Sequence, residues 1–134
     1  MSKSISEIQR EIVEEFQGFE NWEEKFEYLI ELGDELQTYP EEKRKEEYLV
    51  PGCQSRVWIY PTLQEDTLYF VADSDTAITK GLVSILVKVF SGQKAKDVAG
   101  ADMSFLEEIG LQKFLSISRR NGLNSMIKKI QAFG

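Results

Sequence analysis

Histidine is absent from this chain of 134 residues, and cysteine occurs once. Without imidazole the chain has no side chain that titrates near neutrality in the ordinary way, so Ser-His and Cys-His hydrolases are excluded. A single thiol allows no intrachain disulfide and no thiolate metal cluster. No metal and no resident cofactor is expected, and the unpaired thiol suits a reducing cytoplasm. Long apolar runs are missing: the most hydrophobic stretch, residues 81–90, is too short to cross a bilayer and contains Lys88. The opening Met1-Ser2-Lys3-Ser4-Ile5-Ser6-Glu7 lacks the apolar segment of a signal peptide. Basic residues are outnumbered, 16 Lys and Arg against 23 Asp and Glu, for a net charge of −7. That balance disfavours nucleic acid and anionic membrane as general partners, and neither is expected.

What is present is ordinary for a folded domain: 42% hydrophobic and 29% charged residues, too apolar for disorder. The length fits one domain over residues 1–134 and is enough to bury a core without a staple. Charge is uneven. Residues 1–48 carry 15 acids and 6 bases, the remainder 8 acids and 10 bases. The acidic part reads as two amphipathic helices. Ser4 with Glu7 forms a capping box ahead of Ile5, Ile8, Ile12, Val13 and Phe16, until Gly18 interrupts. Asn21 with Glu24 forms a second, ahead of Trp22, Phe26, Leu29, Ile30 and Leu36. Pro40 opens a short charged helix over residues 41–47.

The pattern then turns to strands. Arg56–Tyr60 and Thr67–Ala72 are rich in β-branched and aromatic residues, with Pro61 and Gln64-Glu65-Asp66 between them, which predicts an antiparallel hairpin. Tyr48-Leu49-Val50 is a candidate third strand. Asp73-Ser74-Asp75 ends the second strand, with Asp75 as cap of a helix from Thr76 to Phe90 that is apolar nearly all round and therefore central. Short helical pieces follow around Ala95–Ala99 and Ser104–Ile109, and a last helix begins at Arg119 or Asn121 and ends at Phe133. Trp22 and Trp58 are expected in the core. The fold class is α+β, a small antiparallel sheet of two to three strands packed against helices.

The chemistry centres on Cys53, in Val50-Pro51-Gly52-Cys53-Gln54-Ser55-Arg56. A free cysteine is commonly a buried, inert small hydrophobe. Here Pro-Gly and Gln-Ser place it on a turn, where Arg56 and the N–H groups of Gly52, Cys53 and Gln54 favour a thiolate. A Cys-x5-Arg phosphate loop is excluded, since only two residues separate Cys53 from Arg56. A thiol peroxidase or redox sensor stays open, although Ser55 and Arg56 only partly mimic a peroxidase site. Sulfur exchange also remains, because a thiolate attacks sulfur without a proton base. A third possibility is a binding protein that docks through the acidic helices, the cysteine being structural. Lys80 lacks the glycine loop that accompanies a Schiff-base cofactor site.

Leu49-Val50-Pro51-Gly52-Cys53-Gln54-Ser55-Arg56-Val57-Trp58 resembles the signature of the SufE family of cysteine desulfurase activators. The likeness continues in order through Tyr28–Gly33, Asp73-Ser74-Asp75, Ile78, Lys80-Gly81-Leu82, Gly110-Leu111, Leu115-Ser116, Ser118-Arg119 and Gly122-Leu123. It implies a fold similar to the iron–sulfur scaffold proteins (NifU-like). It also implies that Cys53 takes persulfide sulfur from a pyridoxal-phosphate desulfurase of the SufS type and passes it to a SufB-containing scaffold. Gly52, Gln54, Ser55, Arg56, Arg119 and Asp75 would support the persulfide loop, and nothing in the helices demands more than a monomer or weak homodimer. One position departs from the family pattern: Ile117 stands where a proline is usual between two serines.

Overall fold

The computed structural model describes residues 3–134, the side chains of residues 112 and 114 excepted. Helix α1 (Ile5–Gln17) starts at the predicted cap: the Ser4 hydroxyl accepts from the Glu7 N–H, and the Glu7 carboxylate accepts from the Ser4 N–H. Ile12, Val13 and Phe16 form its buried stripe. Helix α2 (Trp22–Asp34) is capped by Asn21, whose side chain accepts from the Glu24 N–H. The returning bond goes elsewhere, because the Glu24 carboxylate accepts from the Glu20 N–H. The charged segment after Pro40 is two 3₁₀ turns, Glu41–Lys43 and Glu46–Tyr48, instead of one helix. A stretch with no apolar periodicity has no face to bury, so the chain turns tightly and stops.

The hairpin is longer than its sequence suggests. Strand β1 (Val57–Gln64) pairs antiparallel with β2 (Thr67–Ser74) in continuous register from Val57↔Ser74 to Gln64↔Thr67. Glu65, at φ 57°, makes the tight turn between them. Pro61 sits inside β1 opposite Phe70. It is tolerated because β1 is an edge strand and the Phe70 N–H turns away from it, donating to the Ser91 hydroxyl. The Pro61 nitrogen therefore faces outward, where no ladder bond is lost. The third strand is not Tyr48–Val50, which supplies only the Leu49↔Trp58 bridge. It is β3 (Gln93–Lys94), paired with β2 on the other side in the order β1-β2-β3.

Helix α3 (Ala77–Phe90) covers the inner face of the sheet, with Leu82, Val83, Ile85, Leu86, Val89 and Phe90 buried. Helix α2 crosses it closely. A Cβ placed on Gly81 of α3 would fall 2.3 Å from the Leu29 carbonyl oxygen, and one on Gly33 of α2 would fall 3.0 Å from the Gly81 nitrogen. Two facing glycines let the backbones touch. Helices α4 (Ala95–Ala99), α5 (Phe105–Ile109) and α6 (Leu111–Phe114) lead to α7 (Ile117–Ala132), which closes the layer with Leu123, Met126 and Ile130. The last helix begins two residues before the expected Arg119, because Ser116 caps it by accepting from the Arg119 N–H.

Both tryptophans are half-buried: Trp22 packs against the margin of the core, and Trp58 lies outside it. Trp58 faces the outer side of the sheet beneath the Arg44 guanidinium, 4.9 Å from its ring centre. Trp22 packs on Phe26 with Lys25 above it. Both positions exploit the amphipathic character of the indole ring.

Candidate functional site

Both ends of the loop that carries Cys53 are tied down. The Val50 N–H donates to the Val57 carbonyl at 2.9 Å, closing residues 51–56 into a compact excursion. At its far end the Arg56 carbonyl accepts from the Ser74 hydroxyl at 2.8 Å and from the Asp75 N–H at 3.3 Å. The Asp75 carboxylate in turn accepts from the Arg56 N–H at 3.0 Å. Asp75 thus clamps the loop to the end of β2 and does not cap α3, whose N-cap is Thr76 with no side-chain bond. Gly52 turns the chain at φ 81°, in the left-handed region that favours glycine.

Cys53 is half-buried and points inward toward α7. Its Sγ lies 3.5 Å from the Gly122 carbonyl oxygen, to which the thiol donates. A Cβ on Gly122 would stand 3.3 Å from the sulfur, so the absence of a side chain in the helix provides the seat. Burial pushes the Cys53 thiol above its ordinary pKa. This differs from the sequence expectation of a thiolate held by Arg56, because loss of water around the sulfur outweighs any distant cation.

Beneath the sulfur is a cavity of about 130 Å³ lined by Cys53, Gln54, Ser55, Thr79, Leu82, Ser116, Ser118, Arg119, Gly122 and Met126. The structure therefore brings Gln54, Ser55 and Arg119 to the thiol. Gly52, Arg56 and Asp75 stand behind the loop as turn and clamp. Arg119 is exposed in the first turn of α7. Ser55 reaches back into the protein: its hydroxyl oxygen is 2.5 Å from that of Thr76 and 3.4 Å from that of Thr79. Thr76 also contacts the Asp75 carboxylate at 3.2 Å. Thr76, Thr79 and the seat at Gly122 are site residues that sequence reasoning misses. Gly122 carries two signals in the sequence, its place inside an otherwise good helix and its place in the Gly122-Leu123 block of the family likeness, and neither assigns it to the thiol. Among the described residues no three acidic, histidine or cysteine side chains gather as a metal site would require.

A second polar cluster braces the sheet beside the loop. Asp73 pairs with Arg44 at 2.6 Å and with Lys80 at 3.5 Å. Arg44 lies over the rings of Tyr39 and Trp58. Burial raises the Tyr39 phenol to about 12, despite the Arg44 charge.

The sequence matches the model of the SufE family, described as an Fe–S metabolism associated domain, over residues 10–133. The chain belongs to the SufE family. A cysteine desulfuration protein SufE of Wigglesworthia glossinidia brevipalpis is 37% identical over 134 residues, covering 98% of this chain and 91% of that one. An uncharacterized SufE-like protein of Rhizobium meliloti is 38% identical over 127 residues, 91% of each chain. The solution structure of a hypothetical protein from Thermus thermophilus superposes with a TM-score of 0.78 over 94% of this chain and 92% of that one. At 18% identity it speaks for the fold alone. No helix among the described residues is long and apolar enough to cross a membrane.

Proposed function

We propose that this SufE-family chain is a sulfur acceptor: Cys53 takes the outer sulfur of a persulfide held by a cysteine desulfurase and carries it as its own persulfide. The observation that carries this reading is the position of the chain's one thiol, on a clamped loop above a small polar cavity. The name of the Wigglesworthia relative supports a desulfurase as the partner.

The exchange balances within the two proteins. The Cys53 sulfur attacks the outer sulfur of the donor persulfide, a new S–S bond forms, and the donor's own S–S bond breaks. The electron pair leaves with the donor's inner sulfur, which ends with the proton that Cys53 gave up. No general base within this chain is needed, which suits a protein without histidine. Pyridoxal phosphate belongs to the partner and supplies the desulfurization itself. Arg119, at the cavity, offers a positive charge to the anionic persulfide. Stimulation of a SufS-type desulfurase, delivery to a SufB-containing scaffold for cluster assembly, a cytoplasmic setting and action as a monomer or weak homodimer complete the proposal.

The peroxidase reading is the weaker one, since the chain's one cysteine leaves no second thiol to resolve an oxidised Cys53. The test is intact mass under non-reducing conditions after incubation with a cysteine desulfurase and L-cysteine. Wild type gains one sulfur atom and Cys53→Ser gains none. An unmodified wild type beside an active SufS-type enzyme overturns the proposal.

A further inference from the structure

The cavity below Cys53 is larger than the thiol needs. Its volume of about 130 Å³ is well above the roughly 10–15 Å³ that admits a single water-sized atom. Leu82 and Met126 give it an apolar floor, whereas Ser55 and Thr79 add hydroxyls. Thr79 is a threonine in the first turn of α3, and it is 5% exposed. A buried hydroxyl needs a partner, and the one Thr79 has among the described residues is the Ser55 oxygen at 3.4 Å. That is a long O–H···O contact against the usual range of about 2.5–3.0 Å.

The proton count along this row of hydroxyls has one solution that satisfies every contact. A carboxylate oxygen only accepts, so Thr76 gives its proton to Asp75, at 3.2 Å. Ser55 must then give its proton to Thr76, at 2.5 Å. Thr79 is left to donate to Ser55 across the longest gap of the three. The row runs Thr79, Ser55, Thr76, Asp75, and Thr79 is its free end. Ser55 and Thr76 are committed, whereas Thr79 can turn its proton into the cavity at little cost.

We propose that the Thr79 hydroxyl is the donor that holds the outer sulfur of the Cys53 persulfide inside this cavity, with Ser55, Thr76 and Asp75 fixing the row behind it. This rests on the reading of Cys53 as a persulfide carrier. An anionic outer sulfur is a strong acceptor, and a charge-assisted bond replaces a weak neutral one. Held there, the sulfur is kept from small thiols that would reduce it.

The experiment compares wild type, Thr79→Val and Thr79→Ser after Cys53 is loaded with inorganic polysulfide. Loss of the outer sulfur to dithiothreitol is followed by intact mass, and the ionisation of the persulfide by its ultraviolet absorbance against pH. Thr79→Val, which keeps the shape and removes the hydroxyl, loses the sulfur about tenfold faster, the size expected for one bond to a charged group. Its persulfide ionises at higher pH, while Thr79→Ser restores both properties. A purely structural role would move melting temperature without moving the ionisation. Equal rates and equal titrations for wild type and Thr79→Val overturn the role of Thr79, and Thr79→Ala serves if the valine does not fold. Polysulfide loading needs no desulfurase, so failure here is separate from failure of sulfur acceptance. A wild type that takes up no sulfur from polysulfide overturns both.

Discussion

The Cys53 thiol rests on the backbone of Gly122, its Sγ 3.5 Å from that residue's carbonyl oxygen, in a helix sixty-nine positions further along the chain. A loop residue and a helix residue thus share one seat, and the helix contributes by having no side chain there. Gly122→Ala should gain roughly 1 kcal/mol of helix propensity but place a methyl 3.3 Å from the sulfur. The expected result is a folded protein whose Cys53 reacts with iodoacetamide several times faster than wild type, because the thiol is displaced toward water. Unchanged alkylation would show that the sulfur does not depend on this seat.

Ile117 occupies the first position of α7 and is 69% exposed. The first helical residue is where proline is favoured, since its N–H has no intrahelical acceptor. Ser116 before it is extended, at φ −61° and ψ 162°, the backbone that a following proline requires. Ile117→Pro should therefore stabilise the protein by about 0.4–1 kcal/mol through the unfolded chain, read as a higher urea midpoint. Sulfur acceptance by Cys53 should stay the same.

Gly81 behaves in the opposite way. Alanine there would drive a Cβ to 2.3 Å from the Leu29 carbonyl oxygen, and backbone cannot rotate aside as a side chain can. Separation of α2 from α3 should cost about 3 kcal/mol or more, seen as a large fall in melting temperature. The isolated helix propensity of alanine would argue for stabilisation, so the sign of the change decides between packing and propensity.

Asp73 links stability to pH. Burial pushes its carboxyl up, but the Arg44 hydrogen bond, the Ser74 N–H and the Lys80 charge together hold it below the usual carboxylate value. A folded-state value below the unfolded one means stability that is present above the ordinary carboxylate pKa and lost as pH falls through the folded value. Urea midpoints measured downward from pH 6 should fall in the acid range for wild type. In Asp73→Asn the fall should be shallower and the midpoint at pH 6 lower.

Much of the molecule is legible in its residues. The Ser4–Glu7 cap, the all-round apolarity of α3 and the strand character of Val57–Tyr60 are local signals, and local signals survive folding. Pro61 misleads because its cost depends on which strand is the edge, a property of topology and not of sequence. Asp75 reads as a helix cap because α3 is its near neighbour, whereas its real partner, the Arg56 N–H, is nineteen residues away. Cys53 is identifiable from its motif. The residues that seat it are not, because Gly122 and Thr79 meet it only after three elements have packed.

Pro61 has a further consequence. An edge strand offers a row of unpaired backbone groups that another chain can extend. Here the row is occupied at Leu49 and Val50 and then interrupted by a residue with no hydrogen to give. The opposite edge, β3, is two residues long. The borders of the sheet are therefore interrupted or short, and poor templates for an added strand. Such borders guard the fold against polymerising strand to strand with its own copies.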